Sequence, residues 1–339
     1  MILAKSTSDI YKFLTEEIDA IQRSNGEILI NGQTIANIIL QSEWTYFKGR
    51  LFINDWEGNF LIIDDKLAII EKGDKRAFFH VNDDFLGQEY LKDGRLFQSL
   101  LADDFTEKYT FKLSKFNNQV AFIDSDFIFL EKKNRISVWE VNTNKVDTLF
   151  ELSELGIHLD GTLEKQLEVM EFSGVYADIL VCSLNSGGVL LFDIKKREVL
   201  NYFKDARIRF NLYSTGENTP VFFGLNHTTF IEIDVEKGEL IRQINLEKQL
   251  KVIKQIPENV PNGVFIDTSV YSDGSIYFKA DKNIIGIFDP VEAKIIDHYI
   301  FDFEKRGTML NIGKENLQIK NGEIIVLDSS NTLHVLKKD

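Results

Sequence analysis

Residues 188–200 read Gly-Val-Leu-Leu-Phe-Asp-Ile-Lys-Lys-Arg-Glu-Val-Leu, and residues 229–241 read Thr-Phe-Ile-Glu-Ile-Asp-Val-Glu-Lys-Gly-Glu-Leu-Ile. In both, an apolar run ends on an acid, passes a short polar turn, and restarts on a charged residue followed by an aliphatic one. Asp193 and Asp234 occupy the same place. The pattern returns at 284–296, with Phe288-Asp289 ahead of Ala293-Lys294-Ile295, and at 135–146, with Trp139-Glu140 ahead of Asn144-Lys145-Val146. Short apolar runs rich in β-branched and aromatic residues, fenced by polar clusters, predict strands. Four residues past the acid stand Asn144, Arg197, Gly238 and Ala293. A tight hairpin asks for left-handed backbone there, which Asn and Gly tolerate.

Working outward, a further strand and turn precede each unit. Arg50-Leu-Phe-Ile stands before Asp55-Trp56-Glu57-Gly58, Asp178-Ile-Leu-Val before Asn185-Ser186-Gly187, and Val221-Phe-Phe before Asn226-His227. Such units start near residues 50, 95, 127, 178, 221, 275 and 323, the one at Arg95 being degenerate. A period averaging about 45 residues is that of one four-stranded propeller blade. The sequence therefore predicts an all-β chain: a single β-propeller of seven four-stranded blades, with six to eight compatible with the spacing. The last unit ends at Leu336 without its outer strand. A ring closed by an N-terminal strand supplies one, and the candidates are Glu27-Ile-Leu-Ile and Thr34-Ile-Ala-Asn-Ile-Ile-Leu; closure also removes exposed sheet edges. Between Ser6 and Gly26 the apolar residues Ile10, Phe13, Leu14, Ile18 and Ile21 recur at helical spacing, with Ser6 and Asp9 at capping-box separation and Asn25-Gly26 as a stop. This reads as an amphipathic helix outside the ring, and gives a helical extension over 1–26 and a propeller over 27–339. Short helices are also expected at 162–170 and 246–254.

The phrase of acid, turn residue, Lys or Glu, then β-branched residue resembles the repeat of quinoprotein-type and WD-like β-propellers over roughly residues 44–337. Aliphatic residues replace the tryptophan that follows the turn in quinoprotein repeats, and the Gly-His and Trp-Asp dipeptides of WD repeats are missing. The resemblance implies the fold and points to no particular enzyme family.

Composition narrows the function. The chain has 339 residues, 44% hydrophobic and 27% charged, which suffices for a core. Its 53 acidic against 39 basic residues leave a formal charge of −14. Nucleic-acid phosphates are bound largely by clustered Lys and Arg, so no nucleic-acid partner is expected. No apolar run reaches the length of a membrane-spanning helix and the first residues do not form a signal peptide, so the expected location is cytoplasmic, with no membrane partner. The lone Cys182 makes no intramolecular disulfide and lies in an apolar strand, the setting of an inert thiol.

Motifs with chemistry are few. The histidines His80, His158, His227, His298 and His334 fall in separate units without metal-ligand spacing. There is no G-x-S-x-G elbow and no glycine-rich phosphate loop. The acid pairs Asp64-Asp65, Asp83-Asp84, Asp103-Asp104 and Asp124 with Asp126 lack the D-x-[DN]-x-[DN]-G sequence of a calcium loop. No catalytic residue, metal or cofactor is assigned. Acids, amides and an occasional aromatic in the loops suit a protein-docking rim. The expected function is non-enzymatic binding of a basic protein through an acidic face, with Asp55, Trp56, Glu57, Asp103, Asp104 and His227 as contact residues. Its concrete form is an immunity protein that plugs a cationic bacterial toxin domain. Two alternatives stay open: an enzyme or carbohydrate-binding propeller using the central channel, and an intracellular scaffold for several partners.

Overall fold

A computed structural model describes residues 1–338 except 15–17, 39–42, 56–58, 75, 81–84, 93–94, 103, 113–115, 124–125, 132, 141–142, 144, 156–166, 209–211, 217–218, 258–262, 304–306 and 312. The described strands form eight antiparallel sheets of four. The first strands of the sheets are Ile10–Leu14, Glu43–Phe47, Arg76–His80, Phe116–Ile123, Val169–Tyr176, Leu212–Ser214, Ile266–Ser272 and Leu317–Lys320, opening blades 1 to 8 in that order. The first strand of one blade packs on that of the next, as in blades 4 and 5, 5 and 6, and 7 and 8, so these strands ring the axis. With strands lettered a to d outward, antiparallel order puts every b–c turn and d-to-a linker on one face of the ring. Every a–b and c–d turn lies on the other.

The b and c strands read as unbroken apolar runs because both their faces are covered, as happens when a sheet is sandwiched between others. In blade 4, Phe127 to Leu130 and Ile136 to Trp139 are all buried, and in blade 5 so are Leu180 to Leu184 and Val189 to Phe192. The d strands instead alternate, half-buried and exposed along Lys294–Ile300. They cover one face only, as period-two side chains on a rim do.

The repeated acid is a turn device. The c strands Arg135–Glu140, Val189–Asp193, Thr229–Asp234 and Ile284–Asp289 each end on it. The Lys196 N–H donates to Asp193 at 2.8 Å, the Lys237 N–H to Asp234 at 3.0 Å, and the Val291 N–H to Asp289 at 2.8 Å. Acid side chains that accept from backbone two or three residues on nucleate turns. At the described positions four past the acid, Arg197 (φ 58°), Gly238 (φ 66°) and Ala293 (φ 52°) are all left-handed. The turn thus imposes this conformation even on residues that resist it. The c–d ladder then slips by one residue in every blade, a bulge that deepens the twist of the outer strand. In blades 5 to 7 the residue just past this slip reaches the next blade, and in blade 4 Asp147, two residues before it, does the same. Asp147 faces Arg197 at 3.9 Å, the Asn201 amide donates to Gly238 O at 2.7 Å, Arg242 donates to Pro290 O at 2.6 Å, and Asp297 holds the Met1 ammonium at 2.9 Å.

Four expectations are corrected. The ring has eight blades, not seven. Among the described residues of 1–26 there is no helix, and the one α-helix among all the described residues is Glu247–Lys254, within the span expected at 246–254. Ile10–Leu14 and Ala20–Arg23 are the a and b strands of blade 1. Their ladder slips between Ile10 and Lys12, which puts buried Ile10 and Phe13 three residues apart on one side and imitates a helical period. Asn25-Gly26 is the b–c turn, with Gly26 at φ 92°. The closing strand is Ile2–Thr7, paired with Leu333–Lys337; Glu27–Ile30 and Gln33–Asn37 are the c and d strands of blade 1. Ile2–Thr7 is almost wholly exposed, so its sequence carries no apolar signature. The unit read at Arg95 is the c strand of blade 3, one strand out of phase. Of the helix expected at 162–170, residues 162–166 lie outside the described residues, and Val169 already belongs to blade 5.

Two outcomes follow from the turns. Gly238→Ala is expected to cost about 1 kcal/mol by forcing a Cβ into left-handed backbone, while Arg197→Gly is neutral or stabilising, both read from denaturant midpoints. The hydrogen bond from the Lys237 ammonium (2.6 Å), with the Lys237 N–H, holds the Asp234 carboxyl below its usual range. A depressed folded value contributes stability above the unfolded one. The advantage of wild type over Asp234→Asn is therefore constant above about pH 5 and shrinks as acid protonates Asp234, measured by urea melts against pH.

Candidate functional site

The face of b–c turns and d-to-a linkers is laced by backbone hydrogen bonds between neighbouring blades. The Val169 N–H donates to Lys133 O at 2.7 Å, Asn185 to Glu168 O at 2.9 Å and Ile208 to Gly187 O at 2.8 Å. His227 and Ile266 exchange both bonds, at 2.9 and 2.8 Å. Leu310 donates to Lys282 O, Ser329 to Met309 O, and Ile10 to Asn331 O, at 2.7 to 2.8 Å. Turns that are ordinarily loose are thereby fixed on a rigid frame, the arrangement in which loops carry recognition.

At the centre of this face the a strands and the segments entering them bring charge to the axis from several blades. Glu43 opens the a strand of blade 2, Glu171 is third in that of blade 5, Asp267 is second in that of blade 7, and Glu315 lies just ahead of that of blade 8. Glu43 and Glu315 are exposed; Glu171 and Asp267 are half-buried. Lys12, in the a strand of blade 1, is lowered below the ordinary lysine range by burial, against the pull of the Glu43 and Glu315 carboxylates. Asp267 pairs with the buried Lys279 ammonium at 2.6 Å. Tyr213 donates to Ser269 O at 2.5 Å; burial raises its phenol, the hydrogen bond with Ser269 opposes and Glu171 adds to the rise. Desolvation of the buried Lys279 strengthens its pairing with Asp267.

The linkers on this face also expose apolar side chains. Val252 on the helix is 77% exposed, Phe265 44% and Met309 40%, whereas Leu250 and Ile253 on the helix's other side are buried. Phe265 meets the exposed His227 ring edge-on at 6.0 Å. A cleft of about 460 Å³ runs along the helix between Asn245, Glu247, Lys248, Lys251, Val252 and Ile256.

The six loop residues singled out in the sequence do not form one cluster. Asp55 is buried in the b–c turn of blade 2, where it accepts the Asn59 N–H at 3.0 Å and the Asn59 amide at 2.8 Å. Trp56, Glu57 and Asp103 lie outside the described residues. Asp104 is exposed in the c–d turn of blade 3, on the opposite face, and accepts from Thr106. His227 is in the b–c turn of blade 6, on the same face as Asp55 but four blades away. The mouth residues escaped the sequence reading, although a signal exists: an acid within the first three positions of an otherwise apolar a strand. Asp64 spends one oxygen on the Lys66 and Ala68 N–H groups. Among the described residues no three His, Cys, Asp or Glu side chains are arranged to hold a metal ion. Cys182 is buried, which pushes its thiol up.

No protein-family model and no curated protein matches the chain. Solved structures do. The C-terminal WD40 domain of Sif2 superposes with a TM-score of 0.63 at 11% identity, covering 100% of this chain and 98% of that one. Sqt1 from Saccharomyces cerevisiae gives 0.61 at 10%, covering 98% and 97%, and BamB from Moraxella catarrhalis gives 0.58 at 11%, covering 100% and 98%. The fold these structures share with the chain is a β-propeller. At these identities the likeness is one of fold alone. No helix among the described residues is long and apolar enough to cross a membrane.

The Asp267–Lys279 pair supplies a check on the mouth. Removing one partner of a buried pair strands the other charge, whereas replacing the lysine with an apolar side chain removes the need for a partner. Asp267→Ala is expected to lower stability by about 3 kcal/mol and Lys279→Met by less than about 1 kcal/mol, compared by chemical denaturation.

Proposed function

We propose that this propeller binds another protein, a basic one, through the face of its b–c turns and linkers. The observation that carries the reading is the mouth itself, where Glu43, Glu171, Asp267 and Glu315 arrive from four blades against Lys12 and Lys279. Phe265 and Met309, on linkers of the same face, supply apolar anchors of the kind protein interfaces use. The formal charge of −14 adds long-range attraction for a cation-rich surface and speeds encounter. Asp55, Trp56, Glu57 and His227 remain proposed contacts, and the turn carrying Asp104 is engaged only by a partner that reaches round the rim.

The concrete form of the reading is an immunity protein that covers the active site of a cationic bacterial toxin in the cytoplasm. A rigid, acidic, single-ring scaffold with no assigned chemistry of its own is suited to that task. The channel-using enzyme or lectin would require polar groups to enclose a ligand; the mouth offers acids and a lysine without a histidine among the described residues.

The test begins with the partner captured from the source organism and purified. The variant Glu43→Lys, Glu171→Lys, Glu315→Lys is expected to slow association about tenfold at low ionic strength, with the difference vanishing near 0.5 M salt by roughly complete screening. Reversal at Asp65, Glu236 and Asp273 on the opposite face leaves the rate unchanged. Equal effects from the two variants would overturn the reading.

A further inference from the structure

The seam of the ring carries an arrangement that the binding reading does not use. Ser6 on the closing strand and His334 on the c strand of blade 8 are direct cross-strand partners. The Ser6 hydroxyl lies 2.8 Å from His334 Nδ1, and His334 Nε2 lies 3.0 Å from Asp328 Oδ2. His334 and Asp328 are buried, while Ser6 is exposed. We propose that Ser6 is an activated serine nucleophile, a site of covalent acylation by esters or thioesters with a good leaving group.

The chemistry follows from which atoms can donate. Asp328 Oδ1 is occupied by the Ser330 N–H at 2.8 Å and the Thr332 N–H at 2.9 Å, so the carboxylate is held in one orientation with Oδ2 towards the ring. A carboxylate oxygen accepts, so Nε2 carries the ring proton and Nδ1 is left as the bare acceptor. The hydroxyl proton of Ser6 therefore points at Nδ1, and its oxygen lone pairs face outward. The ring is clamped by Phe301, 4.8 Å between centroids, and Phe303, at 6.1 Å. Nucleophile, base and orienting acid thus stand in the order and at the spacing that covalent catalysis uses. Half-buried Phe303 gives an aromatic leaving group an apolar wall.

Holding the closing strand does not by itself ask for these residues. The turn-closing bonds of blades 2 and 5 end on Asn59 and Gly188, and the ladder of blade 6 closes on Thr229. Two residues on stand Leu61, Leu190 and Ile231, all buried and apolar, where blade 8 has His334. In the acylation, Oγ forms a bond to the donor carbonyl carbon as the hydroxyl proton passes to Nδ1, and the imidazolium is held by Asp328. Collapse breaks the bond to the leaving group, which departs with that proton or as its anion, and leaves an ester on Ser6.

The test exposes the full chain to p-nitrophenyl acetate, following p-nitrophenolate release and locating acetyl groups by mass spectrometry. One acetyl on Ser6 is expected, with a single equivalent of p-nitrophenolate released quickly. Asp328→Asn can donate to Nε2 and so moves the ring proton to Nδ1; it is expected to slow Ser6 labelling about 100-fold, the scale of general-base catalysis, while its turn bonds persist. Ser6→Ala abolishes the adduct with an unchanged melting profile, and Ser6→Thr retains a hydroxyl and partial labelling. Labelling of Ser6 no faster than in urea-unfolded chain, no dependence on Asp328, or no adduct would each overturn the proposal.

Discussion

Each blade has two apolar faces, and no blade can cover both by itself. That constraint organises the molecule. Burial of a core side chain contributes roughly 1.5–3 kcal/mol only while a neighbour keeps water out, so an open row of such sheets would leave its end faces wet. The ring removes the ends. Closure rests on the pairing of Ile2–Thr7 with Leu333–Lys337, which completes blade 8 with its fourth strand. Buried Ile10 and Phe13 of blade 1 then share a cluster with Ile325 and Leu327 of blade 8.

The two faces of the ring inherit different jobs from the same topology. Short a–b and c–d turns need only acids and left-handed residues, and the d-strand contacts to the next c–d turn keep the outer edge in step. The linkers and b–c turns of the other face hold one another through backbone bonds. The exposed Phe265 and Met309 lie on these linkers, and the mouth acids on or just ahead of the a strands they enter.

How much of this was legible in the sequence depends on burial. The middle blades were readable because their b and c strands are continuous apolar runs ending on an acid, as in Val189–Asp193 and Thr229–Asp234. Blade 1 was not, because a slipped ladder spaced Ile10 and Phe13 like a helix, and the closing strand was not, because an exposed edge strand has no pattern to read. Blade 3 was misphased because its c strand opens Arg95-Leu-Phe, like the b strand of blade 2 at Arg50-Leu-Phe. At the site, conspicuous loop acids drew attention although Asp55 is consumed by its own turn. Glu43, Glu171 and Asp267 were silent because their meaning lies in convergence at an axis, which one-dimensional order hides. Ser6, Asp328 and His334 are likewise brought together only by closure, 328 residues separating Ser6 from His334.

That separation bears on how the chain reaches its native state. During synthesis Ile2–Thr7 emerges ahead of blade 1, yet it has no partner until Leu333–Lys337 has left the ribosome. Until then the growing row presents an uncovered apolar flank and a free strand edge, the features that attract chaperones and promote association between nascent chains. The final step brings together segments 328 residues apart, so the entropy of closing a long loop falls on the last event of folding.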